Sequence, residues 1–319
     1  MAEKDKYTTV MITLLGPTAT GKTRLAAIVA QRLNGEVISA DSRQVYRHMD
    51  IGTGKDYDDY IVRGQTVPRH LVDIVDPGCE YNVFQFQEDF LKAFERITTA
   101  HKVPVLCGGT GLYLQAALSR YKMIKVPENP SLRKELQNKN LSELKTILQS
   151  YRQLHNTTDV TDRKRALRAI EIAVYENENP AMHKKLPAVK PLIFGISLSR
   201  QEIRTRITRR LKSRLAAGMI DEVKELLNSG LTPQQLRFYG LEYRYLTDFV
   251  TGTITYDEMF TLLNTAIHQF AKRQMTWFRR MEKNGFLIRW LDGNLPADEN
   301  ADAIIRQYES SSNRTKRPR

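Results

Sequence analysis

Apolar and polar positions change period twice along this chain. Residues 8 to 15, with the apolar run VMITLL, read as a buried strand, whereas the run after Lys22, TRLAAIVAQRL, spaces its apolar residues as a helix does. Further short strands are expected in VISADS (37–42), HLVDIV (70–75) and VPVLCGGTG (103–111), with an amphipathic helix at about 83–101 between the last two. Strands alternating with helices predict a parallel sheet with ligands at the carboxyl ends of its strands, where Asp41 and Thr110 both fall. From 122 to 186 only helical periods occur, in SLRKELQ, LSELKTILQSY and DRKRALRAIEIAVYE, with prolines 127, 130, 180 and 187 near their edges. The sheet pattern resumes in LIFGISL (192–198), followed by long helices over 200–228 and 256–282 and a last strand in FLIRWLD. The expected architecture is therefore a core of residues 1–121 and 187–306, a small helical insertion of residues 122–186, and a basic, disordered tail of residues 307–319.

Between the first strand and its helix stands GPTATGKT, which fits the phosphate-loop pattern G-x-x-x-x-G-K-[ST] at every fixed position. It comprises Gly16, Pro17, Thr18, Ala19, Thr20, Gly21, Lys22 and Thr23. Its glycines let backbone amides close around an anion, Lys22 adds a mobile charge, and the Thr23 hydroxyl suits Mg²⁺. The fold class is accordingly α/β, with a P-loop NTPase-like core of parallel sheet flanked by helices. The motif does not name a nucleotide, because a diphosphate on any carrier suits the same cradle.

Composition narrows the partners. With 41% hydrophobic and 27% charged residues and no apolar run near the roughly 20 residues of a spanning helix, no membrane segment is expected, and the N-terminus lacks a secretory pattern. A cytoplasmic location follows as the expectation. Cys79 and Cys107 are too few for a disulfide framework, and neither has metal-site spacing. The net charge of +13 gathers in residues 163–214, 272–283 and the terminal NRTKRPR, while the first hundred residues are nearly balanced. This asymmetry favours small-ligand chemistry near the N-terminus and a polyanionic partner later in the chain.

The stretch DSRQVYRHMDIGTGK (41–55) places Asp41 at a strand end, where a carboxylate holds magnesium, takes a proton from a nucleophile, or caps a turn. With the phosphate loop and CGGTGLY (107–113), this stretch closely resembles the tRNA dimethylallyltransferase (isopentenyltransferase) family. That family's pattern is a GPTASGKT-type loop, DSxQVYxxMDIGTAKP and GGTGLY in that order. The resemblance continues through TDRKRALRAIE (161–171), RTRITRRLKSRLAAGMIDEVKEL (204–226) and AKRQMTWFRR (271–280). It implies transfer of a dimethylallyl group from dimethylallyl diphosphate to N6 of the adenine 3′ of the anticodon in tRNA, with release of diphosphate, by a monomer using Mg²⁺.

Residue by residue, the resemblance makes Asp41 the acceptor of the amine proton, Thr18 a hydroxyl at the diphosphate and Arg210 the arginine that neutralises it. It implies that Asp41, Ser42, Arg43 and Gln44 meet the target adenine, flipped out of the anticodon stem-loop, and its neighbours. It further implies that Thr110, Arg133, Lys164, Arg165, Ala166, Leu167 and Arg168 contact the RNA. Arg206, Arg210 and Arg214 follow one another at i, i+4 and i+8, on one helix face whose bland alternative is a solvated charged surface. Lys272, Arg273, Trp277 and Arg280 suggest a basic and aromatic edge, with core packing the alternative for Trp277. Three stretches depart from the family pattern: GTGKD replaces GTAKP, VTDRKR lacks an Asn-Asp pair, and FYGLEY (238–243) stands where A-I-G-Y-K/R is typical. These bear on fine positioning and on which tRNAs are accepted, and suit a divergent, duplicated member. Prenylation of free adenine nucleotides, phosphorylation of a small molecule, and RNA-stimulated ATP hydrolysis without transfer are the competing activities.

Overall fold

The computed structural model describes residues 9–118, 123–151, 160–180 and 189–316. Contacts divide the chain into two compact units, Met1–Leu118 with Ala188–Arg319, and Ser119–Pro187. The expected boundaries at 121/122 and 186/187 lie outside the described residues, as does the end of the tail at 317–319.

The first unit opens with β1 (Thr9–Leu15), the phosphate loop, α1 (Lys22–Arg32) and β2 (Gly35–Ser39). A small hairpin, β3 (Ile61–Val62) and β4 (Gln65–Thr66), precedes β5 (Arg69–His70), α2 (Val83–Thr99), β6 (Val103–Gly108) and α3 (Gly111–Leu118). The second unit contributes α4 (Pro130–Glu135), α5 (Leu141–Tyr151) and α6 (Arg163–Glu178). The chain then returns through β7 (Val189–Ser197) to α7 (Arg200–Ala216), α8 (Met219–Asn228), α9 (Pro233–Leu236), α10 (Leu241–Val250), α11 (Tyr256–Lys283), β8 (Ile288–Asp292) and α12 (Ala297–Lys316).

Among the described residues the main sheet is six-stranded, in the order β5-β2-β6-β1-β7-β8, and every pairing in it is parallel. Its central strands are buried almost throughout, β1 and β6 along nearly their whole length and β7 over residues 192–196, as expected where helices cover both faces. Leu25, Ile28 and Val29 of α1 pack against Val10, Ile12 and Leu14 of β1, each burial contributing on the order of 2 kcal/mol. The chain passes from β1 to β2 on one side of β1 and later from β6 to β7 on its other side, so the phosphate loop opens where the strand order reverses, the usual ligand crevice of such sheets. A second core gathers α7, α8, α10 and α11 around Ile207, Leu211, Met219, Tyr243 and Leu263.

Three expectations change. The strand expected at 70–75 is only Arg69–His70, and Leu71 and Asp73 turn to φ 61° and 57°. Asp73 and Ile74 spend their amides on the carbonyls of Gln44 and Val45, at 3.1 and 2.8 Å, so this segment braces the turn after β2 instead of extending the sheet. The single helix expected over 200–228 breaks at Gly218, whose φ of 97° reaches the left-handed region that ends helices. The tail expected to be disordered from 307 continues α12 to Lys316. Ala301 and Ile304 of α12 are buried in the sheet core, and Arg32 pairs with Asp298 and, at 2.6 Å, with Asp302, so the helix is seated along its first half.

Candidate active site

Gly21 sits at φ 78° just before α1 and supplies no side-chain cap, so the first amides of the helix stay open towards an anion. The loop braces itself from within: Thr20 donates its hydroxyl to the Pro17 carbonyl at 2.9 Å, and Lys22 reaches the same oxygen at 3.4 Å. Burial lowers the pKa of Lys22, with partial compensation from Cys107 and Asp41. Burial pushes the Cys107 thiol up to about 12, which keeps it neutral beneath the loop. Gln274 of α11, which sequence reasoning left unassigned although it lies inside AKRQMTWFRR, closes the loop from outside. It accepts the Thr18 amide at 2.9 Å and donates to the Gly109 carbonyl at 2.9 Å, tying the phosphate loop to the CGGTG turn.

The turn after β2 is held as tightly. Asp41 accepts the Arg43 amide at 3.0 Å, which satisfies one oxygen and is the turn-capping role in its simplest form. Ser42 donates its amide to the Thr110 hydroxyl at 3.1 Å, and Gln44 bridges the Ser39 hydroxyl to the Gly54 carbonyl at 3.1 and 2.9 Å. Asp41, Ser42, Arg43, Gln44 and Thr110 thus form one fixed group, and all five line the cavity that also admits Thr18, Lys22 and Thr23. Its volume is about 1000 Å³. Capping therefore does not remove Asp41 from chemistry.

Helix α7 supplies the opposing charge. Its capping box, Ser199 with Glu202, fixes the start of the helix, and Ile207 and Leu211 bury its apolar stripe. Arg206, Arg210 and Arg214 all line the cavity, but their partners differ. Arg206 donates to the Gly293 carbonyl at 3.2 Å, whereas Arg210 reaches the Thr18 hydroxyl at 3.4 Å and pairs with Asp56. Arg214 meets the same carboxylate at 3.2 Å. Burial would raise the Asp56 pKa, yet the two guanidiniums outweigh it and hold the carboxyl below its ordinary value. Glu222 of α8, also unassigned from the sequence, accepts the amides of Asp50, Ile51 and Gly52 at 2.8, 2.7 and 2.9 Å and the Tyr243 hydroxyl at 2.6 Å, which sets the DIGTGK loop. No sequence signal short of the fold distinguishes Glu222 from its solvated neighbours.

Trp277 lines the cavity and lies against Gly111, where an added Cβ would come within 2.2 Å of the indole, so it packs and faces the site together. Arg273 shares the rim, over the Phe270 ring at 5.9 Å, and Phe238 projects there beneath the Arg43 guanidinium at 5.6 Å. Two of the departures, GTGKD and FYGLEY, therefore meet the cavity directly, through Gly54, Asp56, Phe238 and Glu242.

The second unit treats its basic residues differently. Glu171 is buried and accepts Arg133 at 2.7 and 3.1 Å, Arg168 at 3.0 Å and the Asn129 amide at 2.9 Å. Arg168 also donates to the carbonyls of Val126 and Pro127 at 2.7 and 3.2 Å. Arg133 and Arg168 are thus committed to the fold of this unit. Ala166 is fully buried and Leu167 packs on the same small core, so of the KRALR run only Lys164 and Arg165 stand exposed. Asp162, in the departing VTDRKR stretch, caps α6 by accepting the Arg165 amide at 2.9 Å.

For a metal, Thr23 offers a hydroxyl in the cavity, and among the described residues no cluster of three or more His, Cys, Asp or Glu is placed to hold an ion alone. One protein hydroxyl beside an anion-binding loop fits a hard cation that keeps waters and takes its remaining oxygens from a diphosphate. Among the described residues no helix is long and apolar enough to cross a membrane.

Residues 44–281 match the family described as IPP transferase, and residues 9–67 that described as isopentenyl transferase. The tRNA dimethylallyltransferase 2 of Phocaeicola vulgatus is 55% identical over 301 residues, 94% of this chain and 97% of that protein. The tRNA dimethylallyltransferase 1 of Porphyromonas gingivalis is likewise 55% identical, over 94% of this chain and all of its own length. Among solved structures, the tRNA delta(2)-isopentenylpyrophosphate transferase of Staphylococcus epidermidis superposes with a TM-score of 0.68 at 30% identity, covering 95% of this chain and 99% of its own. With one family model spanning residues 44–281 and relatives 55% identical over 94% of its length, the chain belongs to the tRNA dimethylallyltransferase (IPP transferase) family.

Proposed function

We propose that the protein moves a dimethylallyl group from dimethylallyl diphosphate to N6 of the adenine on the 3′ side of a tRNA anticodon, releasing diphosphate. One observation carries the reading: Asp41, Lys22 and Arg210 line a single cavity of about 1000 Å³, so a proton acceptor faces an anion-binding loop. An adenine flipped from its loop enters beside the fixed Asp41 to Gln44 turn. Its N6 lone pair attacks the allylic carbon as the carbon–oxygen bond to the diphosphate breaks, and Asp41 takes the N6 proton. The departing charge is met by the loop amides, Lys22, the Thr18 hydroxyl and Arg210. Mg²⁺ at Thr23 would supply further charge neutralisation on the diphosphate. Exposed Lys164 and Arg165 suit contacts to RNA phosphates. The enzyme acts as a monomer in the cytoplasm.

The test incubates the protein and Mg²⁺ with unmodified tRNA and either dimethylallyl diphosphate or ATP, and reads the nucleosides by mass. One five-carbon unit gained on adenosine with the prenyl donor alone is the expected result. Absence of any gain across a complete tRNA pool, or product formed from ATP, would sink it.

A further inference from the structure

Asp56 is a carboxylate standing in a cavity that Lys22, Arg206, Arg210 and Arg214 also line. It lines the cavity with Lys22, and it contacts both Arg210 and Arg214. The two arginines are not equivalent partners. Arg214 is 14% exposed at its side chain and Arg210 is 31% exposed. The Arg214 guanidinium lies flush on Gly54, where an added Cβ would stand 2.2 Å from Nη2, and Gly54 itself holds φ 73°, so any other residue there would be strained and would unseat the arginine. Arg214 is therefore fixed. Arg210, by contrast, extends to the Thr18 hydroxyl of the phosphate loop and divides itself between that loop and Asp56.

The backbone beneath Asp56 cannot withdraw easily. Lys55, directly before it, is buried and donates its ammonium to the Tyr46 carbonyl and to the carboxylates of Asp50, at 2.8 Å, and Asp73. Asp56 itself starts the short 3-10 turn Tyr57–Tyr60. Gly54 and Asp56 are the two positions at which GTGKD departs from GTAKP, and they meet the same arginine pair.

We propose that Asp56 is a built-in competitor for the diphosphate: it holds Arg210 while the site is empty, yields that guanidinium to the bound diphosphate while staying paired with Arg214, and reclaims it as the product leaves. The inference rests on the reading that this cavity binds a diphosphate, and it makes Asp56 a positioning residue acting through Arg210. Exchange of one carboxylate partner for a diphosphate costs the site one partly exposed ion pair, so removing the competitor should strengthen anion binding by about three- to fivefold.

Binding of inorganic pyrophosphate with Mg²⁺, measured by calorimetry without tRNA or a prenyl group, tests this independently of the transfer reaction. Asp56→Asn is expected to bind pyrophosphate about three- to fivefold tighter, and Asp56→Glu to stay near the parent. In an Arg210→Ala background most of that gain should vanish, because the contest is for Arg210. Unchanged or weaker binding by a folded Asp56→Asn protein overturns the proposal. So does an equal gain without Arg210, which would mark Asp56 as a diffuse negative field. If pyrophosphate binds neither the parent nor any variant, the diphosphate reading fails first and this inference with it.

Discussion

Helices α6 and α7 carry similar basic patterns and put them to opposite uses. On α7 the arginines at 206, 210 and 214 line a cavity, and Arg210 is left within reach of the phosphate loop. On α6, Arg168 turns to the buried Glu171 and to two backbone carbonyls, with Arg133 of α4 on the same carboxylate. A buried anion therefore decides whether a basic helix face binds a ligand or closes its own fold. The i, i+4 step from Lys164 to Arg168 repeats that from Arg206 to Arg210, but Arg168 meets a carboxylate buried in its own unit, whereas Arg210 meets Asp56 on the cavity wall.

Asp41→Ala sets the scale for the chemical side of this comparison, with kcat expected to fall by about 10²- to 10⁴-fold and tRNA binding largely kept in a filter-binding assay. Unchanged turnover would remove Asp41 from the mechanism. Next comes Arg210→Ala, for which a loss of about 10²- to 10³-fold in kcat is expected, with the melting temperature nearly unmoved. A large drop in stability instead would put α7 in the same class as α6.

The α6 side predicts the reverse. Glu171→Ala should destabilise the second unit by about 2 kcal/mol, because the loss falls on several charge-assisted bonds whose arginines can still reach solvent. Protease sensitivity of residues 123–180 reads this directly. Arg168→Ala should act in the same direction more weakly, and tRNA binding that weakens without any change in protease sensitivity would show Arg168 available to RNA instead of committed to Glu171. Acid sharpens the point. Burial would raise the Glu171 pKa, but hydrogen bonds from Arg133, the Asn129 amide and Arg168 win and hold it below its ordinary 4.5. Its contribution is thus complete above that value and lost as pH falls through the lower folded one. Opening of this unit in acid, followed by hydrogen exchange, should therefore be blunted in Glu171→Gln. The smallest effect belongs to Lys164→Ala and Arg165→Ala, each expected to weaken tRNA binding by a few-fold and to lower its salt dependence by about one phosphate contact.

Much of the candidate site was legible because its residues fall in short contiguous stretches that match a family pattern. The phosphate loop is a motif by itself, whereas the Asp41 to Gln44 turn, Thr110 and Arg210 were singled out by the family resemblance, and together they line one cavity. Gln274 and Glu222 lay inside recognisable stretches yet could not be singled out, since their importance comes from accepting or donating to backbone groups 165 to 256 residues away. The strand expected at 70–75 failed for a related reason: its apolar residues fit a strand, but Asp73 is drawn to Lys55 and to the Tyr57 hydroxyl, at 2.7 Å, and its backbone bends to follow.

The sequence alone determined where strands and helices alternate, where the chain leaves the sheet for a helical insertion, and which turn opens a helix with its first amides uncapped, because periodicity, glycine conformation and helix-terminal amides are local properties. Tertiary structure alone decided which charges stay available. Arg210 is shared between Thr18 and Asp56, and Arg214 rests on a glycine, while Arg168 is spent on Glu171. A charge is free or spent according to what surrounds it in space, and ion pairs between residues far apart in the chain leave no periodic trace in it.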